Sequence, residues 1–196
     1  MTERWPADPS HVDRAAERLR QGAVIAFPTD TLYAVGARAG DPAAVQRLYE
    51  IKRRPSGQPM VWLVSGRPQV EPIAVVSEVA SELIARFWPG PLTLVLPARL
   101  ALEGPTIAVR APNHHVALEL LQSLGEPIAS SSANPAGQAP PVDADHVIAG
   151  MGDRIDLVLD GGRCRIGQPS TILDLSGEVP RILRQGAIPQ SELITS

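Results

Sequence analysis

The stretch Ala26-Phe27-Pro28-Thr29-Asp30-Thr31-Leu32-Tyr33, with Lys52-Arg53-Arg54-Pro55 about one helix later, decides how this chain is read. Ala23 to Phe27 reads as a buried strand that breaks at Pro28, since proline has no N–H to give to a ladder. Thr29, Asp30 and Thr31 are then left at the carboxyl edge of the sheet, where open α/β folds hold their ligands. The Lys/Arg cluster brings fixed positive charge to the same neighbourhood. A polar turn beside a cationic clamp points to an anion site, with phosphate as the first candidate. Each half also has a plain reading: Thr and Asp hydrogen-bond their own turn backbone, and cations complement a helix end.

Composition bounds the function. At 196 residues the chain fits one domain, taken as 1–196, and is long enough to bury a real core. A net charge of −3 argues against a generally basic nucleic-acid coat, though it leaves room for a local basic groove. One cysteine, Cys164, excludes an internal disulfide and any multi-cysteine zinc site. No apolar run reaches membrane-spanning length, and Met1 to Ser10 lacks an apolar signal core. The expectation is therefore a reducing, cytoplasmic setting with no membrane contact. Of the 18 basic residues only Lys52 is lysine, and Asn113 and Asn134 are the two asparagines. An ammonium is a compact point charge that a planar guanidinium cannot copy, so a lone lysine draws the eye.

Along the chain, Val12, Ala15, Ala16 and Leu19 recur at helical spacing after Pro9. Asp41-Pro42 starts a second helix with Ala44, Val45, Leu48 and Ile51 on one face, placing Lys52 and Arg54 at or just past its last turn. Met60–Val64 is a short strand, and Ser77–Phe87 a helix with Val79, Ala80, Leu83, Ile84 and Phe87 inward. Leu92–Leu96 and Thr106–Arg110 are strands, backed by a helix through Ala117, Leu120, Leu121 and Leu124. Ile128-Ala129 enters a polar loop, Ser130 to Pro135. Asp143 caps a helix to Ala149, and Leu157–Leu159, Thr171–Leu175 and Arg181–Leu183 close as strands. The fold class is α/β: a single domain with a twisted mixed sheet flanked by helices around an open cleft.

Other constellations carry less. Gly161 to Gly167 has the Gly-x4-Gly spacing of a phosphate loop, but Gln168-Pro169 follows where Lys-Ser/Thr is needed. His114-His115 opens a helix, and adjacent helical residues do not face one another, so no metal pair follows. Flanking arginines could lower the Cys164 pKa, yet it has no histidine partner in sequence and reads as a bystander thiol. No nucleophile elbow or zinc-protease motif occurs. The polar groups are donors and cations, which suit orienting and neutralising a transferring phosphate group.

Three segments together resemble the YrdC-like family of threonylcarbamoyl-adenylate synthases over roughly residues 10 to 190. They are the Pro28–Tyr33 turn, Lys52-Arg53-Arg54 and Ser132-Ala133-Asn134, supported by Trp88–Thr93, Ala108-Val109-Arg110, Pro169-Ser170-Thr171 and Arg181–Arg184. The resemblance implies an enzyme, a nucleotidyltransferase, that makes L-threonylcarbamoyl-AMP and pyrophosphate from L-threonine, bicarbonate or CO2, and ATP. Its product would feed a transferase complex that modifies adenosine beside the tRNA anticodon. Carried over by motif, Thr31, Arg110, Ser170 and the backbone near Ser130 would hold threonine. Lys52, Arg54, Thr106, Ser132, Asn134 and Arg184 would hold ATP, with Gln58 near the nucleotide; Lys52, Arg54, Ser132 and Asn134 would carry the catalysis. Mg²⁺ would ride on the phosphates, with no dedicated carboxylate cage and so no protein metal site.

The sequence departs from the family pattern at Leu63, where some members place a histidine, at Pro140, where a serine is expected, and at Ala34, usually glycine. With no second domain before Ser196, it resembles the short bacterial single-domain form. Two rivals remain. One is a tRNA or double-stranded RNA binder using Arg38, Arg53, Arg54, Arg163 and Arg165. The other is a non-synthase relative, such as the carbamoyl-transfer domains of hydrogenase maturation proteins.

Overall fold

The structure, a computed structural model, describes residues 1–55, 58–99 and 104–193. A short strand, β1 (Glu3–Pro6), precedes helix α1 (Pro9–Arg20). The Asp8 carboxylate accepts from the His11 N–H, and Pro9 fills the first helical position, where no N–H is needed. Strands β2 (Ile25–Pro28) and β3 (Tyr33–Arg38) form a hairpin in which Pro28 pairs with Tyr33. The strand thus ends on Pro28 itself, one residue later than expected.

Helix α2 (Pro42–Lys52) begins on Asp41, whose side chain accepts from the Ala43 and Ala44 N–H groups. Asp41→Ala is expected to cost about 1 kcal/mol, seen as a lower urea midpoint at unchanged slope. At its far end Arg53 takes a left-handed conformation, φ 47°. That reversal lets Lys52 stay buried while Arg54 turns back toward solvent.

Next come β4 (Val61–Leu63), α3 (Arg67–Val70), α4 (Glu78–Phe87), β5 (Leu92–Pro97) and β6 (Thr106–Arg110). The described elements close with α5 (His115–Leu124), β7 (Ile128–Ser132), α6 (Ala144–Met151), β8 (Leu157–Asp160), β9 (Thr171–Asp174), β10 (Arg181–Arg184) and α7 (Gln190–Leu193).

Two expectations are corrected. Ser130 to Ser132 is strand, not loop, because β7 lies between β3 and β4 and pairs antiparallel with both. Ladders on two sides satisfy its backbone and override the weak strand preference of serine. Val79, expected inward on α4, is 50% exposed, since the stripe that packs is Ala80, Leu83 and Ile84.

The ten strands among the described residues join one mixed sheet in the order β1-β8-β2-β3-β7-β4-β6-β5-β9-β10. Side chains alternate between its faces, so the register sorts them. One face carries Val24, Ala26, Val35, Trp62, Leu94, Val109 and Ala129, covered by Leu48 of α2, Ile84 of α4 and Val147 of α6. The other carries Ile25, Phe27, Leu157, Leu159 and Ile128, covered by Leu19 of α1 and by Leu120 and Leu121 of α5. α1 and α5 do not extend along the whole of this second face. Over the rest of β7 and β4, and over β6, β5 and β9, it is left open, and that gap is where ligand chemistry is possible.

Candidate active site

The uncovered half of the second face is the floor of a cavity of about 460 Å³, within the usual range for small-molecule sites. Alternate residues of neighbouring strands line it: Ala34, Ser130 and Ser132, Val61 and Leu63, Ala108 and Arg110, Thr93 and Val95, and Ile172. The 29–32 turn closes one side, and Arg54, Gln58, Ser170 and Arg184 also line the walls. Ala34, Leu63 and Pro140, the three departures from the family pattern, are all lining residues.

The turn is fixed by hydrogen bonds of its own. The Thr29 hydroxyl donates to the Leu32 carbonyl at 2.7 Å, so the hydroxyl contact between Thr29 and Thr31, 2.9 Å, uses the Thr31 proton. Arg110 Nη1 donates to Thr31 Oγ1 at 2.8 Å. Thr31 therefore faces the cavity with a lone pair only. Ser130 is similar, its hydroxyl donating to the Val61 carbonyl at 2.9 Å. These two groups suit a ligand that donates hydrogen bonds.

Beside them sits a buried ion pair. Arg110 gives Nη2 to Asp30 Oδ1 and Nε to the Gly90 carbonyl at 3.0 Å. The two side chains are 7% and 0% exposed. Burial lowers the Arg110 pKa, while the Asp30 charge raises it. Two guanidinium N–H groups remain for an incoming anion. Asp30 Oδ2 is buried with no hydrogen-bond partner among the described residues. The Gly161–Gly167 loop supports the turn from outside, with the Ile166 and Gly167 N–H groups on the Asp30 and Thr31 carbonyls at 2.9 and 3.0 Å. Those two donors are thus spent on protein.

The opposite wall is cationic. Arg184 donates to the Ser170 carbonyl and hydroxyl at 2.9 and 3.0 Å, and Ser170 meets Thr93 at 2.8 Å. Burial, then the neighbouring Arg110 and Arg54 charges, lower the Arg184 pKa. Arg54 holds the Gln58 and Pro59 carbonyls, each at 2.8 Å. Lys52 Nζ donates to the carbonyls of Ser132, at 2.6 Å, and Asn134. Burial first, then Arg54 and Arg154, push Lys52 down to about 8. Arg54, Arg110 and Arg184 line one cavity and their charges disfavour one another, so an anion bound among them would be stabilised.

Of the residues expected from sequence, Thr31, Arg54, Gln58, Arg110, Ser130, Ser132, Ser170 and Arg184 line this one cavity. Lys52 and Asn134 do not; they lie buried together behind Ser132, where the Asn134 amide donates to the Pro135 and Gln138 carbonyls. Thr106 is on the face of β6 that carries Ala108 and Arg110 but is not a lining residue, because it pairs with Pro97 at the strand's outer end. Sequence reasoning took Asp30 only as part of the polar turn and Thr93 only as part of a supporting motif, since their partners lie 80 and 77 residues away. Arg38 is paired with Glu126 and Arg163 with Asp143, which weakens the expected basic stripe. Cys164 is pushed up to about 11, chiefly by burial, so its flanking arginines do not make it a thiolate. Among the described residues no group of three or more His, Cys, Asp or Glu side chains is placed to hold a metal ion. Among them, too, no helix is long and apolar enough to cross a membrane.

Comparison with known proteins matches this arrangement. The Sua5/YciO/YrdC family, described as "Telomere recombination", matches residues 17–186. The threonylcarbamoyl-AMP synthase of Pyrococcus abyssi is 42% identical over 91% of this chain and 55% of its own length. The threonylcarbamoyl-AMP synthase of Bacillus subtilis is 38% identical over 98% of this chain and 58% of its own. The crystal structure of P. abyssi Sua5 complexed with L-threonine superposes with a TM-score of 0.92 at 40% identity, covering 98% of this chain and 59% of that one. The chain thus spans a little over half the length of these relatives. With the family model matching 17–186 and the fold superposing this closely, this chain belongs to the Sua5/YciO/YrdC family.

Proposed function

We propose that this chain makes L-threonylcarbamoyl-AMP and pyrophosphate from L-threonine, bicarbonate or CO2, and ATP. The observation that carries this reading is the pairing, in one cavity, of lone-pair-only hydroxyls with guanidinium groups that repel one another. The first suit an amine or hydroxyl, the second a carboxylate and phosphates. Threonine and ATP carry all four.

Thr31 and Ser130 accept from the amine and hydroxyl of threonine, and the free N–H groups of Arg110 take its carboxylate. The amine nitrogen attacks CO2 and releases a proton to solvent through the open cavity, leaving a carbamate. A carbamate oxygen then attacks the α-phosphorus of ATP in line, and the bond to pyrophosphate breaks. No covalent enzyme intermediate is needed, so positioning and charge stabilisation supply the rate. Arg54 and Arg184 line the phosphate path. Lys52, linked to the Ser132 and Asn134 carbonyls, holds that segment and adds charge beneath it. Mg²⁺ would ride on phosphate oxygens, neutralising charge there, because the cavity lining is hydroxyl and cationic with no carboxylate cage.

Gly186 supports this reading with a steric test. A Cβ there would stand 2.4 Å from the Pro169 carbonyl oxygen and 2.5 Å from the Ser170 carbonyl. Gly186→Ala must therefore push Ser170 out of place. We expect steady-state rates about a hundredfold lower in a variant that still folds, as judged by circular dichroism.

The product is an activated acyl adenylate, which a transferase complex acting on tRNA adenosine would consume. The setting we infer is a reducing cytoplasm, supported by a lone, protonated thiol. Direct contact with tRNA or double-stranded RNA has less support, given the paired Arg38 and Arg163. It would show as binding that weakens steeply with salt and needs no turnover. The test of the synthase reading is mass spectrometry of a reaction with isotopically labelled bicarbonate. Label in a threonylcarbamoyl adenylate is the expected result, and its absence overturns the reading.

A further inference from the structure

We propose that His114 is a positioning residue for the Asp30–Arg110 pair, holding the second carboxylate oxygen of Asp30 through one buried water. The proposal rests on the reading of this cavity as a threonine site.

Asp30 Oδ1 is taken by Arg110, but Oδ2 is buried with no protein partner. His114 Nδ1 is likewise buried and unpartnered. An orphaned carboxylate oxygen in a protein interior carries a substantial desolvation cost. Two orphans of complementary chemistry in one neighbourhood are the usual setting for a structural water. His114 sits at the start of α5 without capping it, so its ring is not spent on the helix. The exposed His115 ring stacks against its outer side, with centroids 4.8 Å apart and planes at 18°. The charges it senses are His115, Asp30 of the β2–β3 turn and Arg165 of the glycine-rich loop, and Gly161 packs between Pro28 at that turn and Val116 of α5, so the start of α5 lies beside the turn. Burial, His115 and Arg165 hold its pKa below the ordinary 6.5 against the pull of Asp30. The ring is therefore neutral at physiological pH, with one N–H; carried on Nδ1, that proton is the donor that the second Asp30 oxygen lacks.

The consequence reaches the cavity through Arg110. A carboxylate fixed at both oxygens holds the guanidinium in one orientation, and with it the Thr31 hydroxyl that Nη1 engages. Freed at one oxygen, Asp30 can swing, and Arg110 and Thr31 lose their common alignment. Lys52, Arg54 and Arg184 do not depend on this link, so the nucleotide end should be spared.

The experiment is calorimetric titration of L-threonine and, separately, ATP into the wild type, His114→Ala, His114→Asn and His115→Ala. We expect His114→Ala to weaken threonine binding about tenfold and to leave ATP within about twofold. His114→Asn, whose amide N–H lies near the place of Nδ1, should recover most of the loss, and His115→Ala should bind both ligands as the wild type does. If the alanine variant does not fold, His114→Leu, which keeps bulk without a donor, takes its place. Unchanged threonine affinity, a parallel loss of ATP affinity, or an asparagine variant no better than alanine each overturn the proposal. A wild type that binds ATP but not threonine overturns the threonine reading of the cavity, and the proposal with it.

Discussion

Lys52→Ala is expected to lower threonine-dependent pyrophosphate release by about a thousandfold while leaving the fold intact. The ammonium is buried, and it donates to the carbonyls of Ser132 and Asn134. Removing it takes away a fixed charge beneath the phosphate path and frees the segment it tethers. Stability should suffer little, because the buried charge is itself costly to hold. Lys52→Arg should fail to restore activity, since a planar guanidinium cannot occupy the site of a compact ammonium between two carbonyls. Full activity in either variant would exclude the phosphate role.

The same residue predicts a pH dependence. Folding lowers the Lys52 pKa from its ordinary 10.5 to about 8. Between those values the unfolded chain binds more protons than the folded one, so stability rises with pH there. Below about 8 both states are protonated and the penalty is fully present. A triphosphate reverses this by favouring the charged amine. Above pH 8, ATP binding should therefore take up a proton, and affinity should fall as pH rises. Calorimetry at pH 8.5 in two buffers of different ionisation enthalpy reads the uptake. Equal heats in the two buffers, with pH-independent affinity, would mean that the ammonium does not sense the nucleotide.

Arg110→Met carries the second large effect. It leaves the Asp30 carboxylate buried with neither oxygen paired, and breaking such a pair costs about 3–5 kcal/mol. Asp30→Asn removes the partner charge instead and leaves a buried guanidinium. The double variant, lacking both charges, should regain much of the lost stability in urea titrations. It should not regain threonine binding, because the anion-accepting N–H groups are gone. A double variant that binds threonine as the wild type does would show that Arg110 serves the fold and not the ligand.

How much of this was visible in sequence follows from range. Helices α1 and α2 announce themselves locally, through Asp8-Pro9 and Asp41-Pro42 starts and apolar residues at helical spacing. β1 does not, because its partner β8 lies some 150 residues away and supplies the pairing that Trp5 and Pro6 cannot signal alone. β7 was misread for the opposite reason: three serines suggest a loop, while two flanking strands impose a ladder. The site divides likewise. The lone lysine, the Thr-Asp-Thr turn and the Ser-Ala-Asn segment stand out by residue type. What they touch does not, since the Asp30–Arg110 and Lys52–Asn134 links each span about 80 residues. Thr106 shares its strand face with Ala108 and Arg110, as alternation implies, but its place at the outer end of β6 follows from register, which alternation does not give.

The central claim is that one cavity joins a threonine carbamate to the α-phosphate of ATP. Pyrophosphate release measured with ATP, bicarbonate and L-threonine, each omitted in turn, tests it most directly. The expected outcome is release that requires all three. Release that continues without threonine, or a complete mixture that releases none, would contradict it.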